Sequence, residues 1–508
     1  MTDPTTHAAQ DFAWMPDLIA ANAAARAHAP AVTVDDTTWT WSTLAARSNA
    51  VASALQRDGH APGDAVSICA LSHPNYVALW LGALRAGVAV APLPPSATPS
   101  QIAAMVADCG AKLLFLDAAS ESALAGETMH AAHLRLDTDA FDAWLSDDAP
   151  QPVHIKPKMP FNIIYSSGTT GVPKGIIHSQ AMRWQHLKAG PALGYTPDAV
   201  TLLATPLYSN TTLVAFLPAL AWGGHVVLMP KFDTAAYLAL AESTRATHSM
   251  LVPVQYRRLM AHPAFDAHDL SSFQLKFATS APFPAALKAD VLRRWPGGLI
   301  EYYGMTEGGG GTVLVAHNHP EKLHTVGHPI PGHDIMLIGE DGEPVPTGEV
   351  GEIVGTSPAI MNGYANRPEA TAQTFWTGPD GRTWVKTGDM GRFDADGFLQ
   401  LMDRAKDMII SGGFNIYPSD LEAILSRHAA VVEVAVIGVP SDAWGETPVA
   451  IAVLRPGTTP DALKDWANAQ LGKTQRLAAV VATDELPRSA IGKVLKRELR
   501  DRWTLPVP

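Results

Sequence analysis

Residues 165–175 read Tyr-Ser-Ser-Gly-Thr-Thr-Gly-Val-Pro-Lys-Gly and continue the apolar, strand-like run Phe161–Tyr165. Glycines allow a backbone to turn its N–H groups toward an anion, and Ser and Thr hydroxyls add further donors. Lys174 places a positive charge near the end of the segment. The pattern predicts a nucleotide-phosphate loop after a strand, although a Ser/Thr/Gly segment by itself is also typical of a surface loop.

The spacing of this segment differs from the phosphate loop of kinases and GTPases, G-x-x-x-x-G-K-[ST]. Gly168 and Gly171 are too close together, and Gly175 rather than Ser or Thr follows Lys174. The segment therefore indicates a phosphate loop of another kind.

The overall composition is typical of a globular protein with more than one domain. The chain has 508 residues, of which 47% are hydrophobic and 17% are charged. Its net charge of −12 argues against a general nucleic-acid binder, because a phosphate backbone requires a basic face. The two cysteines, Cys69 and Cys109, allow no disulfide framework or C-x-x-C metal site, so we expect a reducing, cytoplasmic location.

Two segments bear on membranes and secretion. The apolar stretch Tyr76–Pro95 contains Arg85 and several glycines and prolines, and it predicts a core helix that leads into a buried strand. Met1–Pro4 lacks a basic start followed by an apolar run. We therefore expect neither a membrane span nor a secretory signal.

Helix-like and strand-like stretches alternate in the first part of the chain. Between Trp39 and about Asp117, helical spacing of apolar residues alternates with short apolar runs, and further strand-like runs follow between Thr201 and Tyr303. Such alternation predicts βαβ units and a parallel sheet. From about Gly327, short strands separated by Gly, Pro and Asp turns predict antiparallel structure.

These patterns predict an α/β protein. The large N-terminal domain, residues 1–404, would contain parallel-rich sheets flanked by helices and a small β-rich subdomain. A compact, mobile α+β module would follow from residue 405 to residue 508.

Three further segments carry groups suited to nucleotide chemistry. Tyr302–Glu307 places hydroxyls and a carboxylate at the end of a predicted strand, where they could meet a nucleotide and its Mg²⁺. Asp389, in Lys386–Asp389, can accept both hydroxyls of a ribose. Pro487–Lys493 ends in a lysine, a compact charge on a long stem. One at a time, these segments are equally typical of a buried tyrosine pair, a common turn and a solvated charge.

Five stretches of the chain resemble the signatures of the adenylate-forming superfamily, which comprises acyl-CoA synthetases, luciferases and the adenylation domains of peptide synthetases. They are residues 165–175, Tyr302–Glu307, Lys386–Asp389, Ser411–Pro418 and Pro487–Lys493. The resemblance covers essentially the whole chain in the family's order and spacing. Weaker matches within Gly351–Tyr364 and at Ser441–Glu446 support it. The pattern is most similar to acid–CoA ligases of the 4-coumarate and benzoate types.

By this resemblance, the chain would hold ATP and Mg²⁺ at several of these motifs. Thr306 would contact the α-phosphate, Glu307 would coordinate Mg²⁺, and Tyr303 would pack on the adenine. Asp389 would hold the ribose, with Arg404 as a second contact. The implied ATP-binding residues are Ser166, Ser167, Gly168, Thr169, Thr170, Lys174, Tyr303, Gly304, Thr306, Asp389 and Arg404.

The resemblance also implies roles in the C-terminal module. Lys493 would be the catalytic lysine, which acts with Thr306 and Glu307 and stabilises charge on the carboxylate and the α-phosphate. Lys406 stands at the family's domain hinge. The segment 473–477 departs from the family's aromatic-Lys-Arg-Pro string near coenzyme A. The implied coenzyme A contacts are Gly412, Gly413, Trp444 and Arg476.

The acyl pocket is expected between Leu207–Thr212, Thr279–Pro282 and the residues after Glu307. Ser209 replaces a histidine that many relatives carry, which removes a bulky gate beside the carboxylate. The four glycines at 308–311 suggest a wall without side chains and space for a flat or long acyl group. The predicted pocket residues are Tyr208, Ser209, Asn210, Ser280, Ala281, Gly308 and Gly309.

The resemblance thus implies a carboxylic acid–CoA ligase that works through an acyl-adenylate and uses ATP, Mg²⁺ and coenzyme A. With Tyr208 and Tyr303 nearby, an aromatic acid of the hydroxycinnamate or benzoate type is favoured. The alternatives are a medium-chain fatty acid, transfer to a separate carrier protein, a luciferase-like oxygenase, and a non-catalytic adenylate or acyl binder. We expect no nucleic-acid or membrane partner, and a monomer and a homodimer both stay open.

Overall fold

The computed structural model of the chain describes residues 9–166, 173–404, 407–411, 414–441, 444–472, 475–489 and 493–502, without the side chains of residues 166, 403, 404, 414 and 415. The chain divides into two compact units. The first comprises Met1–Leu323, Pro329–Asp334 and Gly355–Val385, and the second comprises the rest. The predicted boundary between residues 404 and 405 stays a prediction, as does the hinge at Lys406, which lies outside the described residues.

The helices and strands, given in chain order, alternate through most of the first unit. The helices are α1 (Met15–Ala25), α2 (Trp41–Arg57), α3 (Pro74–Arg85), α4 (Pro99–Asp108), α5 (Ala118–Leu124), α6 (Asp139–Trp144), α7 (Gln180–Lys188), α8 (Asn210–Ala221), α9 (Thr234–Ser243), α10 (Pro253–Met260), α11 (Ala285–Arg294), α12 (Pro368–Thr374), α13 (Pro418–Leu425), α14 (Pro460–Asn468) and α15 (Lys496–Arg502). Across the part of the chain that the structure describes, no helix combines the length and apolarity needed to cross a membrane.

The strands are β1 (Pro30–Val34), β2 (Thr37–Thr40), β3 (Ala65–Cys69), β4 (Ala89–Pro92), β5 (Leu113–Leu116), β6 (Ala132–Arg135), β7 (Pro160–Ser166), β8 (Lys174–Ser179), β9 (Val200–Leu203), β10 (His225–Leu228), β11 (His248–Leu251), β12 (Leu275–Ala278), β13 (Gly298–Gly304), β14 (Gly311–Val315), β15 (His328–Pro329), β16 (Asp334–Ile338), β17 (Gly351–Thr356), β18 (Gly363–Tyr364), β19 (Phe375–Thr377), β20 (Thr383–Phe393), β21 (Leu399–Arg404), β22 (Ile409–Ser411), β23 (Phe414–Ile416), β24 (Val431–Ser441), β25 (Gly445–Leu454) and β26 (Ala479–Ala482).

The larger sheet of the first unit has the strand order β15-β14-β13-β12-β11-β9-β10-β1-β2. Its middle strands are parallel; in β12 and β13, for example, Phe277 pairs with Ile300. Strands β14 and β2 run antiparallel to β13 and β1. The strand-like runs between Thr201 and Tyr303 coincide with β9 to β13, so the predicted parallel sheet is confirmed.

The second sheet of this unit has the order β18-β8-β7-β4-β3-β5-β6. Strands β3 to β7 form its parallel part, whereas β8 runs antiparallel to β7 and β18 antiparallel to β8. Helices α2, α3 and α4 alternate with β3, β4 and β5, as the sequence predicts. In both sheets an antiparallel hairpin follows a parallel strand: β7–β8 in one and β13–β14 in the other.

Buried apolar side chains explain why these elements pack in layers. Strands β3 and β4 are buried along their whole length, as expected of parallel strands covered on both faces. Trp41, Trp80 and Trp184 are fully buried in the same core cluster. Local signals set the helix starts: the Ser179 hydroxyl accepts a 3.1 Å hydrogen bond from the Met182 N–H and begins α7 directly after β8.

The second unit contains a sheet with the order β23-β22-β25-β24, with β26 beside β25. Strands β24 and β25 pair antiparallel from Val431↔Leu454 to Ser441↔Gly445. Leu421 of α13 and Leu463 of α14 are fully buried against this sheet. The predicted α+β module is therefore confirmed.

The predicted β-rich stretch contains β16, β17 and β19 to β21. Within the first unit, β19 pairs antiparallel with Thr383–Val385 of β20. Within the second unit, the later residues of β20 pair antiparallel with β21, and Asp389 lies opposite Arg404. The antiparallel character predicted after residue 327 is therefore confirmed.

Candidate active site

The described ends of the predicted phosphate-loop segment belong to strands β7 and β8. The two strands pair antiparallel up to Tyr165↔Gly175 and Ser166↔Lys174. Ser167, Gly168, Thr169 and Thr170 lie outside the described residues, as does the side chain of Ser166. Their phosphate contacts therefore stay a prediction.

Lys174 and Glu307 belong to two separate sequence motifs, and both contact the side chain of Tyr364. Nζ of Lys174 lies 5.0 Å from the centre of the Tyr364 ring. The Tyr364 hydroxyl donates a 2.7 Å hydrogen bond to Oε1 of Glu307. Burial and the nearby Glu307 carboxylate raise the pKa of Tyr364, so the hydroxyl keeps its proton at neutral pH. Tyr364 therefore contacts a cation with its ring and a carboxylate with its hydroxyl.

A row of buried groups ends at the backbone carbonyl of Thr306. Nε of Arg183 donates a 2.7 Å hydrogen bond to Oδ1 of Asn162, whose amide nitrogen lies 3.2 Å from Nδ1 of His178. Nε2 of His178 lies 2.6 Å from the Thr306 carbonyl oxygen. Since a carbonyl can only accept, His178 carries its proton on Nε2, and Asn162 donates to Nδ1. The row thus fixes the backbone that leads into Glu307.

Of the three side chains in this row, only that of Arg183 is charged at neutral pH. Arg183, Asn162 and His178 are all 0% exposed. Burial, together with the charge of Arg183, lowers the pKa of His178 well below its usual range, so the imidazole is neutral. Burial lowers the pKa of Arg183 to about 9, which leaves it protonated at neutral pH.

The glycines after Glu307 lie against a neighbouring backbone. The Gly309 N–H donates a 3.1 Å hydrogen bond to the Ala359 carbonyl. Gly308 and Gly309 have φ of 75° and 88°, and a Cβ on Gly308 would stand 1.9 Å from the Ala359 carbonyl oxygen. A close backbone approach and a left-handed conformation therefore require glycine here. The open space that the sequence suggested is not found on the Cβ side of these two residues.

Tyr303 and Gly304 end β13, directly before this segment. Tyr303 is half-buried and Gly304 is exposed. A Cβ on Gly304 would meet nothing nearer than 3.8 Å. In contrast to Gly308, this position has room beside the backbone.

Two of the predicted acyl-pocket segments contact each other. Ser209 and Asn210 lie at the start of α8, and the buried Oδ1 of Asn210 has no hydrogen-bond partner among the described residues. Oγ1 of Thr211 lies 2.5 Å from Oγ of Ser280, just after β12. Ser280 has a φ of 83°, which is uncommon for a residue with a side chain and often marks functional sites.

The flanking predicted residues, Tyr208 and Ala281, are half-buried. Burial raises the pKa of Tyr208, although a side-chain hydrogen bond with Ser96 acts in the opposite direction. The phenol therefore keeps its proton at neutral pH. The structure thus brings together the segments around Ser209 and Ser280.

The predicted ribose site lies in the second unit. Asp389 lies on β20, and its N–H donates a 3.0 Å hydrogen bond to Oγ1 of Thr387. Gly388 has a φ of 68°, and its N–H lies 3.3 Å from Oε1 of Glu352. The strand register sets Arg404 opposite Asp389, although the Arg404 side chain is outside the described part.

The other predicted site residues after Arg404 are Lys406, Gly412, Gly413, Trp444, Arg476 and Lys493. Lys493 is half-buried and closes a short turn, in which the Ser489 N–H donates to its carbonyl at 2.8 Å. Trp444 is 60% exposed, and Arg476 is exposed as well. Lys406, Gly412 and Gly413 lie outside the described residues, so their roles stay predictions.

Glu307 is the one predicted metal ligand. It is 9% exposed, and the described residues give a hydrogen bond to Oε1 and none to Oε2. No group of three or more His, Cys, Asp or Glu side chains in the described ranges could hold a metal ion. A single carboxylate with a free oxygen fits Mg²⁺ that a nucleotide brings with it, since Mg²⁺ is usually bound by one or two carboxylates plus phosphates.

Sequence reasoning missed the residues that connect these motifs. Tyr364 falls within a segment that resembles the family, whereas Asn162, His178 and Arg183 belong to none of the motifs. A signal existed for His178, because Lys174, Ile176 and His178 alternate on one face of β8. A signal also existed for Arg183, a charge between the buried Met182 and Trp184.

The chain matches two sequence profiles. The profile of the AMP-binding enzyme family matches residues 19–365, and that of the AMP-binding enzyme C-terminal domain matches residues 420–493. The chain is 36% identical over 486 residues to feruloyl-CoA synthase from Amycolatopsis sp, and the match covers 94% of this chain and 96% of that protein.

Two further proteins are similar along nearly their full length. Indoleacetate–CoA ligase from Aromatoleum aromaticum is 33% identical over 489 residues, which cover 90% of this chain and 92% of that protein. Among solved structures, ATP-bound MatB from Rhodopseudomonas palustris aligns with a TM-score of 0.87 at 29% identity, covering 96% of this chain and 99% of that one.

Proposed function

This chain belongs to the AMP-binding enzyme family, and we propose that it is an acid–CoA ligase that activates an aromatic carboxylic acid through an acyl-adenylate. The names of two relatives, feruloyl-CoA synthase and indoleacetate–CoA ligase, support an aromatic acid. The ATP-bound state of MatB supports ATP as the nucleotide.

The contact of Lys174 and Glu307 through Tyr364 is the observation that carries this proposal. It joins the hairpin of the predicted phosphate loop to the loop that follows β13. A cation and a carboxylate that contact the same tyrosine suit a polyphosphate together with its counter-ion. An ordinary surface loop would have no need for such an arrangement.

The chemistry explains why these groups are required. A carboxylate is a poor acylating agent, because its leaving group would be oxide. Its attack on the α-phosphorus of ATP forms an acyl-adenylate and releases pyrophosphate; a thiolate then displaces AMP and forms the thioester. Positioning and electrostatic stabilisation carry most of the rate in such a displacement.

Residues of the first unit would bind and orient the nucleotide. Lys174 would bind the phosphates with the loop residues 166–170, Tyr303 would pack on the adenine, and Thr306 would contact the α-phosphate. The row from Arg183 to His178 would keep the Thr306 backbone in place. Bound Mg²⁺, held by Glu307 and the phosphates, would neutralise phosphate charge.

Residues of the second unit would complete the reaction. Asp389 would hold the ribose beside Arg404, and Lys493 would stabilise charge on the carboxylate and the α-phosphate. Coenzyme A would contact Trp444 and Arg476 together with the glycines at 412 and 413. A rotation of the C-terminal module at Lys406 would switch the enzyme from adenylation to thioester formation. The free thiols of Cys69 and Cys109 support a cytoplasmic enzyme.

Pyrophosphate release with ATP, Mg²⁺ and a panel of acids tests this function. The panel contains cinnamate, 4-hydroxycinnamate, benzoate, indoleacetate and octanoate, each with and without CoA. We expect acid-dependent release and acyl-CoA formation that are strongest with an aromatic acid. Lys493→Ala should reduce adenylation at least about a hundredfold, as expected when a group that stabilises developing charge is removed.

Lys464→Ala is the matched control, because Lys464 lies in the same unit and forms a surface pair with Asp461 at 3.4 Å. It should leave the rate unchanged. Release without thioester formation would point to a carrier protein as acceptor, and octanoate as the best acid would point to a fatty-acid ligase. No release with any acid would contradict the proposal.

A further inference from the structure

The backbone on the two sides of Lys493 is held together by hydrogen bonds. The Ser489 N–H donates to the Lys493 carbonyl at 2.8 Å, and the Lys493 N–H donates to Oγ of Ser489 at 3.2 Å. The Leu495 N–H donates to the Pro487 carbonyl at 2.9 Å. We call residues 487–489 and 493–495 the Lys493 turn. These bonds hold its two arms side by side.

An ion pair ties the first arm of the Lys493 turn to β24. Nη2 of Arg488 donates a 2.8 Å hydrogen bond to Oε2 of Glu433, and the two side chains are 25% and 18% exposed. Arg488 also forms an antiparallel bridge with Val494, so the pair acts on both arms. A charge-assisted hydrogen bond that is largely shielded from water is stronger than a surface pair.

A second ion pair follows the turn directly. Lys496 begins α15, and its Nζ lies 2.9 Å from Oε1 of Glu422 on α13. The same oxygen accepts a 2.7 Å hydrogen bond from the Val436 N–H of β24. On either side of the turn, Leu486 and Leu499 are buried in one core cluster with residues of β24. Both ends of the Lys493 turn are therefore fixed to the same strand.

These pairs differ from ion pairs within a single helix. Lys464 with Asp461, and Arg502 with Glu498, join neighbours on one helix and add little to the placement of other segments. The Arg488–Glu433 pair joins residues that lie 55 positions apart in the chain. A pair of this kind sets where a turn lies on the sheet.

Placement of the backbone matters for a lysine at this position. The ammonium group lies at the end of a flexible four-carbon stem, so its mean position depends on where the stem begins. A group that stabilises developing charge must be held to within about 0.5 Å of its working position by the residues around it.

From this geometry we infer that the Arg488–Glu433 pair anchors the Lys493 turn and positions Lys493 for adenylation. The inference rests on the proposed function and assigns two positioning residues to it. Lys493 would act on the carboxylate and the α-phosphate, which react in the first step. The attack of the coenzyme A thiolate on the finished acyl-adenylate would not need it. Loss of the pair should therefore affect the two half-reactions unequally.

Separate assays of the two half-reactions test this inference. Pyrophosphate release with ATP, Mg²⁺ and 4-hydroxycinnamate, without CoA and in a single turnover, measures adenylation. Chemically prepared 4-hydroxycinnamoyl-adenylate with CoA measures thioester formation. In Arg488→Met and in Glu433→Gln, adenylation should fall at least about tenfold, since small misplacements of a reacting group are costly, and thioester formation should stay within about twofold of wild type.

Three further variants sharpen the result. Arg488→Lys keeps the charge and should restore adenylation to within about threefold of wild type. The double variant Arg488→Met/Glu433→Gln should be no slower than either single variant, because both changes remove the same interaction. Arg427→Met is the control, since Arg427 is an exposed arginine just after α13, and it should leave both half-reactions unchanged.

Hydrogen exchange gives a readout that is independent of activity. The amides of Ser489, Lys493 and Leu495 all donate within the turn. In Arg488→Met, mass spectrometry should show these amides exchanging at least about threefold faster, because local opening is easier without the pair. Peptides from β25 should exchange as in wild type, and they verify that each variant is folded.

The outcomes separate this inference from the proposed function. Equal loss of both half-reactions, unchanged adenylation in Arg488→Met, or unchanged exchange in the turn would each overturn the inference while an active wild type upholds the ligase. A wild type that releases pyrophosphate with no acid would contradict the ligase and the role in adenylation. The exchange of the turn would then still decide whether the pair anchors it.

Discussion

Two groups of buried charges in the first unit differ in how far the protein itself satisfies them. Nζ of Lys276, on β12, donates to the carbonyl oxygens of Trp295, Pro296 and Gly297 at 3.3, 2.6 and 2.9 Å, beyond the end of α11. Arg183 uses its Nε in a similar way but leaves both terminal nitrogens without a partner in the described structure. One cation is saturated by backbone, and the other is not.

The same α11 region holds a buried ion pair. Lys288 of α11 and Glu301 of β13 form an ion pair and are 1% and 4% exposed. We refer to Lys276, Lys288 and Glu301 as the α11 charges. Because their partners belong to the fold, they are expected to stabilise it, whereas the two terminal nitrogens of Arg183 have no partner in the described structure. The following predictions test this difference, from the largest expected effect to the smallest.

Lys288→Met should have the largest effect on stability. It leaves Glu301 buried without its partner, and breaking a buried pair on one side costs about 3–5 kcal/mol. Burial raises the pKa of Glu301 from 4.5 to about 7 even with the lysine present. Urea unfolding at pH 8 measures the loss.

The pH dependence of this variant has a definite sign. With the pKa of Glu301 raised in the folded state, the unfolded state binds fewer protons above pH 4.5, so stability falls as the pH rises toward 7 and beyond. The deficit relative to wild type should therefore be smaller at pH 5.5 than at pH 8. The double variant Lys288→Met/Glu301→Leu should recover most of it. A deficit independent of pH would contradict this account.

Lys276→Met should destabilise by about 3 kcal/mol, because it leaves the carbonyl oxygens of Trp295, Pro296 and Gly297 without their donor. Lys112→Met is the matched surface control, since Lys112 is 64% exposed in its pair with Asp64. The control should cost less than about 1 kcal/mol. Per folded molecule, adenylation should be unchanged in both variants. A loss of activity per folded molecule in Lys276→Met but not in Lys112→Met would contradict a purely structural role for Lys276.

Tyr364→Phe should affect activity rather than stability. It removes the hydrogen bond to Glu307, and a bond to a charged group is worth about 1.5–3 kcal/mol, so kcat/KM for ATP should fall about tenfold or more. Tyr237→Phe is the control, because it also removes a buried hydroxyl, which donates to Ser249 at 2.7 Å. It should lower the unfolding midpoint and leave kcat/KM unchanged. Equal kinetics in both variants would exclude the proposed role of Tyr364.

Arg183→Met should change stability by less than about 1 kcal/mol, because removal of a buried charge without an acidic partner offsets the loss of its hydrogen bond to Asn162. Urea unfolding beside Lys276→Met measures the contrast. A loss as large as that of Lys276→Met would show that Arg183 serves the fold, as the α11 charges do.

Periodicity and local motifs sufficed for much of the fold. The strands β9 to β13 and the alternation of α2 to α4 with β3 to β5 follow from apolar runs and helical spacing. The resemblance places Lys174 and Glu307 in one site, and in the structure both residues contact Tyr364.

The contacts that organise the site depend on pairing between distant segments. Tyr364 reaches Glu307 because β18 pairs with β8, a register that no local pattern reveals. Likewise, position 308 requires glycine because the Ala359 backbone, far along the chain, lies against it. Sequence spacing alone therefore could not predict these neighbours.

The close approach at Gly308 has a consequence for engineering substrate range. A mutant library that randomises Gly308 or Gly309 would consist mainly of misfolded clones, because a Cβ there would stand 1.9 Å from the Ala359 carbonyl oxygen or 2.7 Å from Cβ of Val385. Gly304, where a Cβ would meet nothing nearer than 3.8 Å, is a better position to diversify. Screening effort spent there would sample new acids instead of lost folds.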